Sequence, residues 1–345
     1  MRLLLVKTSS MGDVIHALVA VSDAARAIPD LRVAWVVEEA FAEIPAWHPA
    51  VERVIPVALR RWRRTPWRPT VWRQWRAFRG MLRASRYDCV LDAQGLLKSA
   101  LVTLQAPGFR VGLDRDSARE PLAALAYRRR FRVARDRHAI DRLRALFAAA
   151  LDYALPTGPP DYGLGPARFP VPAALPGPYL VFLHGTTWAS KHYPEADWIA
   201  LGQQAAAAGY TVCLPWGNEA ERARAARIAA VVSRARVLER LPLTAVAGVL
   251  AASRGVVGVD TGLAQLAAAL GVPAVTLFGA TRPGLTGPRG ARQANLAAGF
   301  ACAPCLARHC RHPSAATPCY ATLPPDRVWR ALAERMDGRS LSWSC

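Results

Sequence analysis

The chain has 345 residues, more than one compact core usually holds, so we expect two domains of roughly 150 to 170 residues each. Apolar residues make up 52% of the chain, which excludes a mainly disordered protein. The 45 Lys and Arg against 25 Asp and Glu give a net charge of +20. This charge favours an anionic partner: nucleic acid, an acidic membrane surface or a phosphorylated substrate.

The amino terminus has four consecutive apolar residues between Arg2 and Lys7, too few for the apolar region of a signal peptide. No run of about 18 uncharged apolar residues occurs, so we expect no transmembrane helix and only peripheral membrane contact. The seven cysteines, without an export signal, predict a cytoplasmic protein whose thiols are free or bind metal.

Apolar runs of strand length alternate with helical patterns, which is typical of βαβ units on a parallel sheet. The predicted strands of the first half are residues 2–7, 33–37, 51–56 and 89–92. Its predicted helices begin near residue 13 and cover residues 70–84 and 138–151. In the second half we predict strands at 179–184, 211–215, 255–259 and 274–278, and helices that begin near residues 194, 219, 243 and 261.

A Pro- and Gly-rich stretch between the two halves has the composition of a linker. We therefore predict an α/β protein with two Rossmann-like parallel-sheet domains, residues 1–160 and 178–324, joined by a linker at 161–177 and facing a central cleft. A last helix within residues 325–345 is expected to pack back on the first domain. Ligands of such sheets bind beyond the carboxyl ends of the strands, so the loops there are candidate sites.

The turn after the first strand, residues 8–13 (TSSMGD), is the first candidate. It matches neither the phosphate loop G-x-x-x-x-G-K-[ST] nor the dinucleotide fingerprint G-x-G-x-x-G, which weakens a nicotinamide oxidoreductase as an alternative function. Asp13 either caps the following helix or faces the cleft as a general base.

Eleven arginines lie between Val51 and Val90, opposed only by Glu52 and Asp88, with four tryptophans interleaved. The segment Arg60-Arg61-Trp62-Arg63-Arg64 is expected on a loop, where guanidinium groups can each hold a phosphate or carboxylate through two hydrogen bonds. A solvated charge run is the alternative, although such runs usually mix both signs. Arginine interleaved with tryptophan also leaves nucleic-acid binding open as a second function.

In the second half, Thr186, Thr187 and Lys191 follow a strand, and their hydroxyl and ammonium groups suit a diphosphate. The loop Asp260-Thr261-Gly262 also follows a strand and opens a helix, whose free N–H groups attract an anion. A helix cap without a ligand is the alternative there. Glu221 either accepts hydrogen bonds from a ribose or favours its helix N-terminus.

Lysine is rare in this chain, since Lys7, Lys98 and Lys191 are its only three lysines among 45 cationic residues. Each therefore hints at a position that needs a compact ammonium group rather than a planar guanidinium.

Four cysteines late in the chain, Cys302, Cys305, Cys310 and Cys319, have the spacing C-x₂-C-x₄-C-x₈-C. This spacing predicts a small structural zinc site. Free buried thiols are the alternative.

The chain resembles the heptosyltransferases of glycosyltransferase family 9, which have the GT-B fold. The resemblance covers nearly the whole chain, and its most specific stretches are VKTSSMGDVIHAL, AWVVEEAFAEIPAWHPAVERVIPVALRRWR, YDCVLDAQGLLKSA, LDRDSAREPLAAL, LPWG and GVDTGLAQLAAALG. It implies an inverting, metal-independent transfer of L-glycero-D-manno-heptose from ADP-heptose to Kdo of Kdo2-lipid A in lipopolysaccharide inner-core biosynthesis. An enzyme of the same family that adds a later heptose is the alternative.

The resemblance also implies roles for individual residues. The first domain would bind the acceptor, with Asp13 as the general base, through Ser10, Gly12, Arg60, Arg61, Arg63, Arg64 and Arg119. The second domain would bind ADP-heptose through Thr186, Thr187, Lys191, Glu221, Leu241, Asp260, Thr261, Gly262 and Gln265. The resemblance implies that Lys191 is catalytic as well, because it would neutralise the departing diphosphate. Gln265 stands where many relatives carry His, and it can donate a hydrogen bond without carrying charge.

The resemblance implies no required cofactor, apart from the structural zinc that the cysteines predict. The implied partners are ADP-heptose, Kdo2-lipid A and the anionic surface of the inner membrane, with which the protein would associate peripherally on the cytoplasmic side. It implies no nucleic-acid partner.

Overall fold

The computed structural model describes residues 1–170, 175, 177–313 and 317–337. Its contacts divide the chain into two compact units, Met1–Leu164 and Gly165–Cys345. This division falls inside the predicted linker, of which residues 171–174 and 176 lie outside the described residues. Within the described part of the chain, no helix combines the length and apolar character needed to cross a bilayer.

The first unit is built on one parallel sheet. Its strands are β1 (Arg2–Val6), β2 (Arg32–Glu38), β3 (Val51–Val57), β4 (Tyr87–Asp92), β5 (Gly108–Leu113) and β6 (Arg129–Phe131), in the order β3-β2-β1-β4-β5-β6. Its helices are α1 (Met11–Ala27), α2 (Glu43–Ala46), α3 (Leu59–Trp62), α4 (Pro69–Arg83), α5 (Leu97–Gln105) and α6 (Ala139–Leu151). A 3₁₀ segment, Pro121–Ala126, lies between β5 and β6.

The centre of this sheet is apolar on both faces. Leu3, Leu4 and Leu5 of β1 are fully buried, as expected of a parallel strand covered on both sides. Helices α4 and α5 contribute side chains such as Phe78 and Val102 to the same core as Leu4. The run of branched apolar residues in RLLLV therefore fixes β1 in the middle of the sheet.

The second unit repeats the design. Its strands are β7 (Tyr179–Leu183), β8 (Thr211–Leu214), β9 (Ala235–Val237), β10 (Gly255–Val259), β11 (Ala274–Phe278) and β12 (Gln293–Ala297), in the order β12-β11-β10-β7-β8-β9. Its helices are α7 (Glu195–Ala207), α8 (Glu219–Val231), α9 (Leu243–Ala251), α10 (Gly262–Ala269), α11 (Pro283–Thr286) and α12 (Pro325–Met336). Counted within each unit, both sheets have the order 3-2-1-4-5-6 of doubly wound Rossmann-like folds.

This strand order creates a switch point in each sheet, where the chain changes direction across the sheet. In the first unit it lies between β1 and β4, and in the second between β7 and β10. Ligands of doubly wound sheets bind outside the carboxyl ends of the two strands that flank such a point. The loops after these four strands are therefore the positions where the fold favours binding.

The predicted α/β fold with two parallel sheets is confirmed. Strands β5, β6, β9 and β12 and helices α2, α3, α5 and α11 had no counterpart in the prediction. Val328 and Leu332 of helix α12 are buried in the core of the second unit, where α12 packs against α7 and β10. The expected packing of this helix on the first domain stays a prediction. Residues 338–345, included in that prediction, lie outside the described residues.

Candidate active site

Asp13 lies in the first turn of α1, directly after the loop that follows β1. Its Oδ2 accepts hydrogen bonds from the backbone N of Ser10 at 2.8 Å and from Ser10 Oγ at 2.7 Å. The side chain still keeps 42% of its surface exposed. Asp13 therefore caps the helix and remains accessible to a substrate hydroxyl, so the two roles predicted as alternatives are compatible.

The Asp13 carboxylate is held in its ionised form. The surrounding protein partly removes the carboxyl from water, which raises its pKa, but the ammonium of Lys7, the hydrogen bonds from Ser10 and the ring of His16 together bring the pKa below the usual value of 3.8. Lys7 Nζ lies 3.8 Å from Asp13 Oδ1 and donates to the carbonyl of Ala93 at 3.1 Å. A carboxylate that is ionised at neutral pH can accept a proton, as a general base must.

The loop before Asp13 is fixed by the side chain of Gln94, which follows β4. Gln94 Oε1 accepts hydrogen bonds from the backbone N of Thr8 at 3.1 Å and of Ser9 at 3.2 Å. The buried carboxylate of Asp92 accepts from the backbone N of Gln94 at 2.8 Å and from Tyr127 Oη at 2.7 Å. The loops on both sides of the first switch point are thus locked together.

A pocket of 390 Å³ lies on the first unit, with an aromatic wall and three cations. Trp72 and Trp75 line it together with Arg60, Arg63 and Lys98. Burial lowers the pKa of Lys98, the carboxylate of Glu38 partly opposes this, and the charges of Arg60 and Arg63 lower the pKa further. Like charges gathered in this way attract an anion, which the predicted acceptor would provide.

Lys98 connects this pocket to the loop of Asp13, because its Nζ donates to Ser9 Oγ at 3.1 Å. Ser10 and Gly12 lie just before Asp13 in the chain, and both are at least partly exposed. The first switch point therefore brings together a carboxylate, a serine-rich turn and a cationic pocket.

The arginine segment differs from its prediction as a loop. Residues Leu59–Trp62 form helix α3, because the carbonyl of Ala58 accepts hydrogen bonds from the backbone N of Arg61 and Trp62 and the Trp62 side chain is buried. The guanidinium of Arg61 pairs with both carboxylate oxygens of Glu39 at 3.0 Å. Arg61 thus already has an anionic partner within the protein.

Arg64 and Arg119 are exposed on the first unit. Their predicted contact with the acceptor, like that of the other arginines, stays a prediction.

An ion pair joins the loops at the second switch point. Lys191 Nζ lies 2.6 Å from Asp260 Oδ2, and this oxygen also accepts a hydrogen bond from Thr281 Oγ1 at 2.7 Å. Thr186 Oγ1 donates to the backbone carbonyl of Asp260 at 3.4 Å. The ammonium also lies 4.6 Å from the centre of the Trp188 ring, a cation–π distance. The loops after β7, β10 and β11 therefore meet at one cation.

Helix α10 begins beside this ion pair, with Thr261 before its first residue, Gly262. Its first N–H groups carry the partial positive charge of a helix start. Gln265 is buried and donates from Nε2 to the carbonyl of Thr286 at 2.6 Å. In this structure the amide of Gln265 thus ties α10 to α11, and its predicted contact with the donor stays a prediction.

Glu221 lies against the loop after β7. Its Oε2 accepts a hydrogen bond from the backbone N of Gly217 at 2.7 Å. A Cβ atom at Gly185 would lie 2.6 Å from the Glu221 carboxyl carbon, so a larger residue there would require the Glu221 side chain to move. Thr187 is exposed on the same loop as Gly185.

Leu241 lies in the loop between β9 and α9 and is half-buried. The indole N–H of Trp216, after β8, donates to the carbonyl of Leu238 at 2.7 Å and joins the loops after β8 and β9. Every residue predicted to bind the donor therefore follows the carboxyl end of a strand of the second sheet or lies in the first turn of the helix after it.

Cys319, the last of the four late cysteines, is buried. Burial, together with the nearby Cys302, Cys310 and Cys305, raises the pKa of the Cys319 thiol to about 11. Cys302 and Cys305 are exposed. Among the described residues, no group of three or more His, Cys, Asp or Glu side chains is arranged to hold a metal ion.

Several residues of both sites were missed in the sequence. Lys7, Gln94, Trp188 and Thr281 had no predicted role there, although the scarcity of lysine was a signal for Lys7 and Lys98. All three lysines of the chain lie at the two switch points. The roles of the other missed residues depend on contacts between loops that are distant in sequence.

Two Rossmann-like sheets, an accessible carboxylate at one switch point and a lysine-bearing pair of loops at the other are the arrangement typical of the GT-B class of glycosyltransferases. The model of the family "Glycosyltransferase family 9 (heptosyltransferase)" matches residues 75–316. The chain belongs to this family.

Relatives and solved structures agree with this assignment. The chain is 57% identical over 314 residues to lipopolysaccharide heptosyltransferase 1 of Pseudomonas aeruginosa, covering 90% of this chain and 88% of that protein. It is 49% identical over 297 residues to the protein of the same name from Escherichia coli K12, covering 85% and 92%. The structure of E. coli heptosyltransferase WaaC with ADP superposes with a TM-score of 0.87 at 44% identity, covering 97% of this chain and all of that one.

Proposed function

We propose that the protein transfers L-glycero-D-manno-heptose from ADP-heptose to the Kdo residue of Kdo2-lipid A during lipopolysaccharide inner-core synthesis. The relatives at 49 to 57% identity support this reaction through their common name. The structure of E. coli ADP-heptose lps heptosyltransferase II is 21% identical and supports the fold alone. These identities favour the first heptose over a later one, and the family favours glycosyl transfer over nucleic-acid binding or nicotinamide chemistry.

One observation carries the donor part of this proposal: the Lys191 ammonium lies at the second switch point beside the start of α10. A diphosphate needs a cation and N–H donors in the same place, and both are present here. Glu221, on the neighbouring loop, offers a carboxylate that can accept hydrogen bonds from ribose hydroxyls.

The proposed chemistry is a single displacement. Asp13 accepts the proton of the acceptor hydroxyl while its oxygen forms a bond to the anomeric carbon of the heptose. The bond from that carbon to the diphosphate oxygen breaks on the opposite face, so the configuration inverts and ADP leaves with the electron pair. Lys191 and the N–H groups after Asp260 stabilise the charge that develops on the diphosphate.

The cationic pocket suggests where the acceptor binds. Arg60, Arg63 and Lys98 offer three positive charges to the carboxylate of Kdo and the phosphates of lipid A. The aromatic wall beside them suits an amphiphile, whose surface is partly apolar. We also propose that the protein associates peripherally with the cytoplasmic face of an anionic inner membrane, where such an acceptor lies.

The mechanism requires no cofactor, because Lys191 and α10 supply the positive charge that the diphosphate needs. A structural zinc ion at Cys302, Cys305, Cys310 and Cys319 stays a prediction. Metal analysis of protein purified without chelator tests it, with about one zinc per chain expected if the thiols bind it.

The reaction is tested by following ADP release with ADP-heptose, first with Kdo2-lipid A and then with an acceptor that already carries one heptose. We expect release with the first acceptor only, an inverted anomeric configuration in the product, and an unchanged rate in excess EDTA. Release only with the heptosylated acceptor would assign the enzyme to a later step.

A further inference from the structure

Helix α5 presents an apolar stripe to solvent. Leu97, Leu101 and Leu104 are 45, 60 and 44% exposed, and their spacing puts them on one face of the helix. The other face of α5 is buried, through Val102 and Thr103 among others. A surface helix usually turns polar residues to water, so this outward apolar stripe needs an explanation.

The 3₁₀ segment Pro121–Ala126 widens the stripe. It packs against α5, and Ala100, Ala123 and Ala124 form a small buried cluster between them. Leu122 and Leu125 of this segment are 56 and 66% exposed. The outward leucines of the two segments are named the leucine face: Leu97, Leu101, Leu104, Leu122 and Leu125. Contiguous exposed apolar patches of this kind mark interaction surfaces.

Positive charges are fixed around the leucine face. Arg83 donates from Nε to the carbonyl of Gln105, at the end of α5, at 3.2 Å. Arg130 and Arg110 donate to the carbonyls of Ala124 and Ala126 in the 3₁₀ segment, at 2.8 and 3.3 Å. Their guanidinium groups are thus anchored to the backbone of the same two segments that carry the leucines.

One carboxylate also touches this surface. Glu120 accepts a hydrogen bond through Oε2 from the backbone N of Leu97 at 2.6 Å. With three arginines around it, the rim remains positive at neutral pH.

We propose that the leucine face and its three arginines form the surface by which the protein docks on an anionic lipid bilayer. Leucines that enter the boundary between headgroups and acyl chains lose contact with water, while the arginines meet the lipid phosphates. This inference deepens the proposed function, because it gives the proposed membrane contact a defined surface. It commits to the bilayer rather than to a second copy of the chain, since a symmetric contact between two copies would bring two arginine-rimmed faces together.

The test uses the full chain and sedimentation with vesicles of phosphatidylglycerol and phosphatidylethanolamine. The Leu101→Gln/Leu125→Gln variant should partition about tenfold less than the wild type, because two apolar anchors are lost. The matched control Leu155→Gln/Val231→Gln, which also replaces two exposed apolar residues, should bind like the wild type. Equal binding by the leucine-face variant and the control would overturn the proposal.

A second variant does not depend on the leucines. Arg83→Gln/Arg130→Gln should lose about fivefold per arginine on anionic vesicles, and it should bind phosphatidylcholine vesicles like the wild type. If neither variant changes vesicle binding, and Leu101→Gln/Leu125→Gln instead converts a dimer to a monomer in sedimentation velocity, the face belongs to a second copy and the proposal fails.

Heptose transfer is measured separately, with a deacylated, water-soluble Kdo acceptor. Both variants should keep the wild-type rate on this acceptor, because they lie outside the machinery of Asp13 and Lys191. Vesicle binding through the leucine face without any heptose transfer by the wild type would overturn the proposed function and leave the docking surface standing. Heptose transfer without vesicle binding would overturn the docking surface and leave the proposed function standing.

Discussion

Lys191 and Asp260 form an ion pair of 2.6 Å with side chains only 15 and 11% exposed, and the pair joins the loops after β7 and β10. At the proposed donor site, a diphosphate would therefore meet an ammonium that already has an anionic neighbour. Binding would place a second anion beside Lys191, and the start of α10 would supply additional positive potential for it. In this proposal the charge is arranged before the donor arrives, which is the condition for effective electrostatic catalysis.

Lys191→Ala should weaken ADP affinity about 30-fold or more, because it removes the cation and leaves the Asp260 carboxylate facing the diphosphate. Adenosine affinity should stay near the wild-type value, since adenosine has no phosphate. Calorimetric titration with both ligands measures the difference. The double variant Lys191→Ala/Asp260→Asn should recover part of the ADP affinity, and an equal loss for adenosine would indicate damage to the fold.

Asp13→Asn should lower turnover by about 10² to 10⁴, the range for a lost general base, with little change in ADP-heptose affinity. Folding should hardly change, because an Asn side chain can still accept the hydrogen bonds from Ser10. Asp152→Asn is a matched control, since Asp152 lies at the end of α6 with a positive φ that Asn tolerates. Turnover of Asp13→Asn within a few-fold of the wild type would mean that Asp13 only caps the helix and is not the general base.

The pH dependence of kcat should show the effect of the Lys7 charge on the pKa of Asp13. The ammonium lowers the pKa of the carboxyl, so wild-type kcat should stay level down to about pH 5. Lys7→Met removes this effect while the partial loss of contact with water continues to raise the pKa, so the acid limb of kcat should move to higher pH. Lys7→Arg keeps the charge and should keep the wild-type profile. If the pH profile of kcat for Lys7→Met coincides with that of the wild type, Asp13 is not the group whose titration limits kcat at acid pH.

The sequence predicted the parts of the fold whose pattern is local. Strands such as β1 and β10 are runs of apolar residues buried on both faces, and these runs are visible in the sequence. Edge strand β6 is three residues long with two exposed arginines, so the sequence has no apolar run there that would predict a strand. Helix α5 was missed because its exposed leucines disguise the usual amphipathic pattern.

The residues of the candidate sites also fall into two groups: those that the local sequence predicts and those whose role depends on contacts between distant loops. Asp13, Lys191 and Asp260 follow strand ends, and the rule that ligands bind beyond those ends selects them from the sequence. The roles of Gln94 and Thr281 depend on which loops meet. Gln94 holds Thr8 across 86 positions of sequence, and only the strand order β1-β4 brings them together.

The cationic pocket predicts an effect on the acceptor alone. Arg60→Ala/Arg63→Ala should raise the acceptor KM about tenfold or more, leave the KM of ADP-heptose near its wild-type value, and weaken the salt dependence of the acceptor KM. Initial rates at varied acceptor, donor and salt concentrations measure all three. Arg222→Ala/Arg227→Ala, on α8 of the second unit, is the matched control for loss of two arginines. Tight duplex DNA binding that the pocket variant loses, without any change in acceptor KM, would instead favour the nucleic-acid alternative.

His184 predicts how stability depends on pH. Its ring is fully buried at the end of β7, and burial, with the nearby charge of Arg224, lowers its pKa to about 4. In the unfolded chain the pKa returns to about 6.5, so below that pH the unfolded state binds the proton more readily. The stability that His184 contributes is therefore complete above pH 6.5 and is lost as the pH falls toward 4.

At pH 5 this loss amounts to about 2 kcal/mol of unfolding free energy. Urea unfolding at pH 7.5 and pH 5 measures it. His184→Gln, which cannot titrate, should lose less stability between these two pH values than the wild type by about that amount, whatever its stability at pH 7.5. His309→Asn, at an exposed histidine, should keep the wild-type difference. An unchanged difference in His184→Gln would mean that the proton is taken up elsewhere, with the neighbouring His192, whose pKa burial also lowers, as the next group to replace.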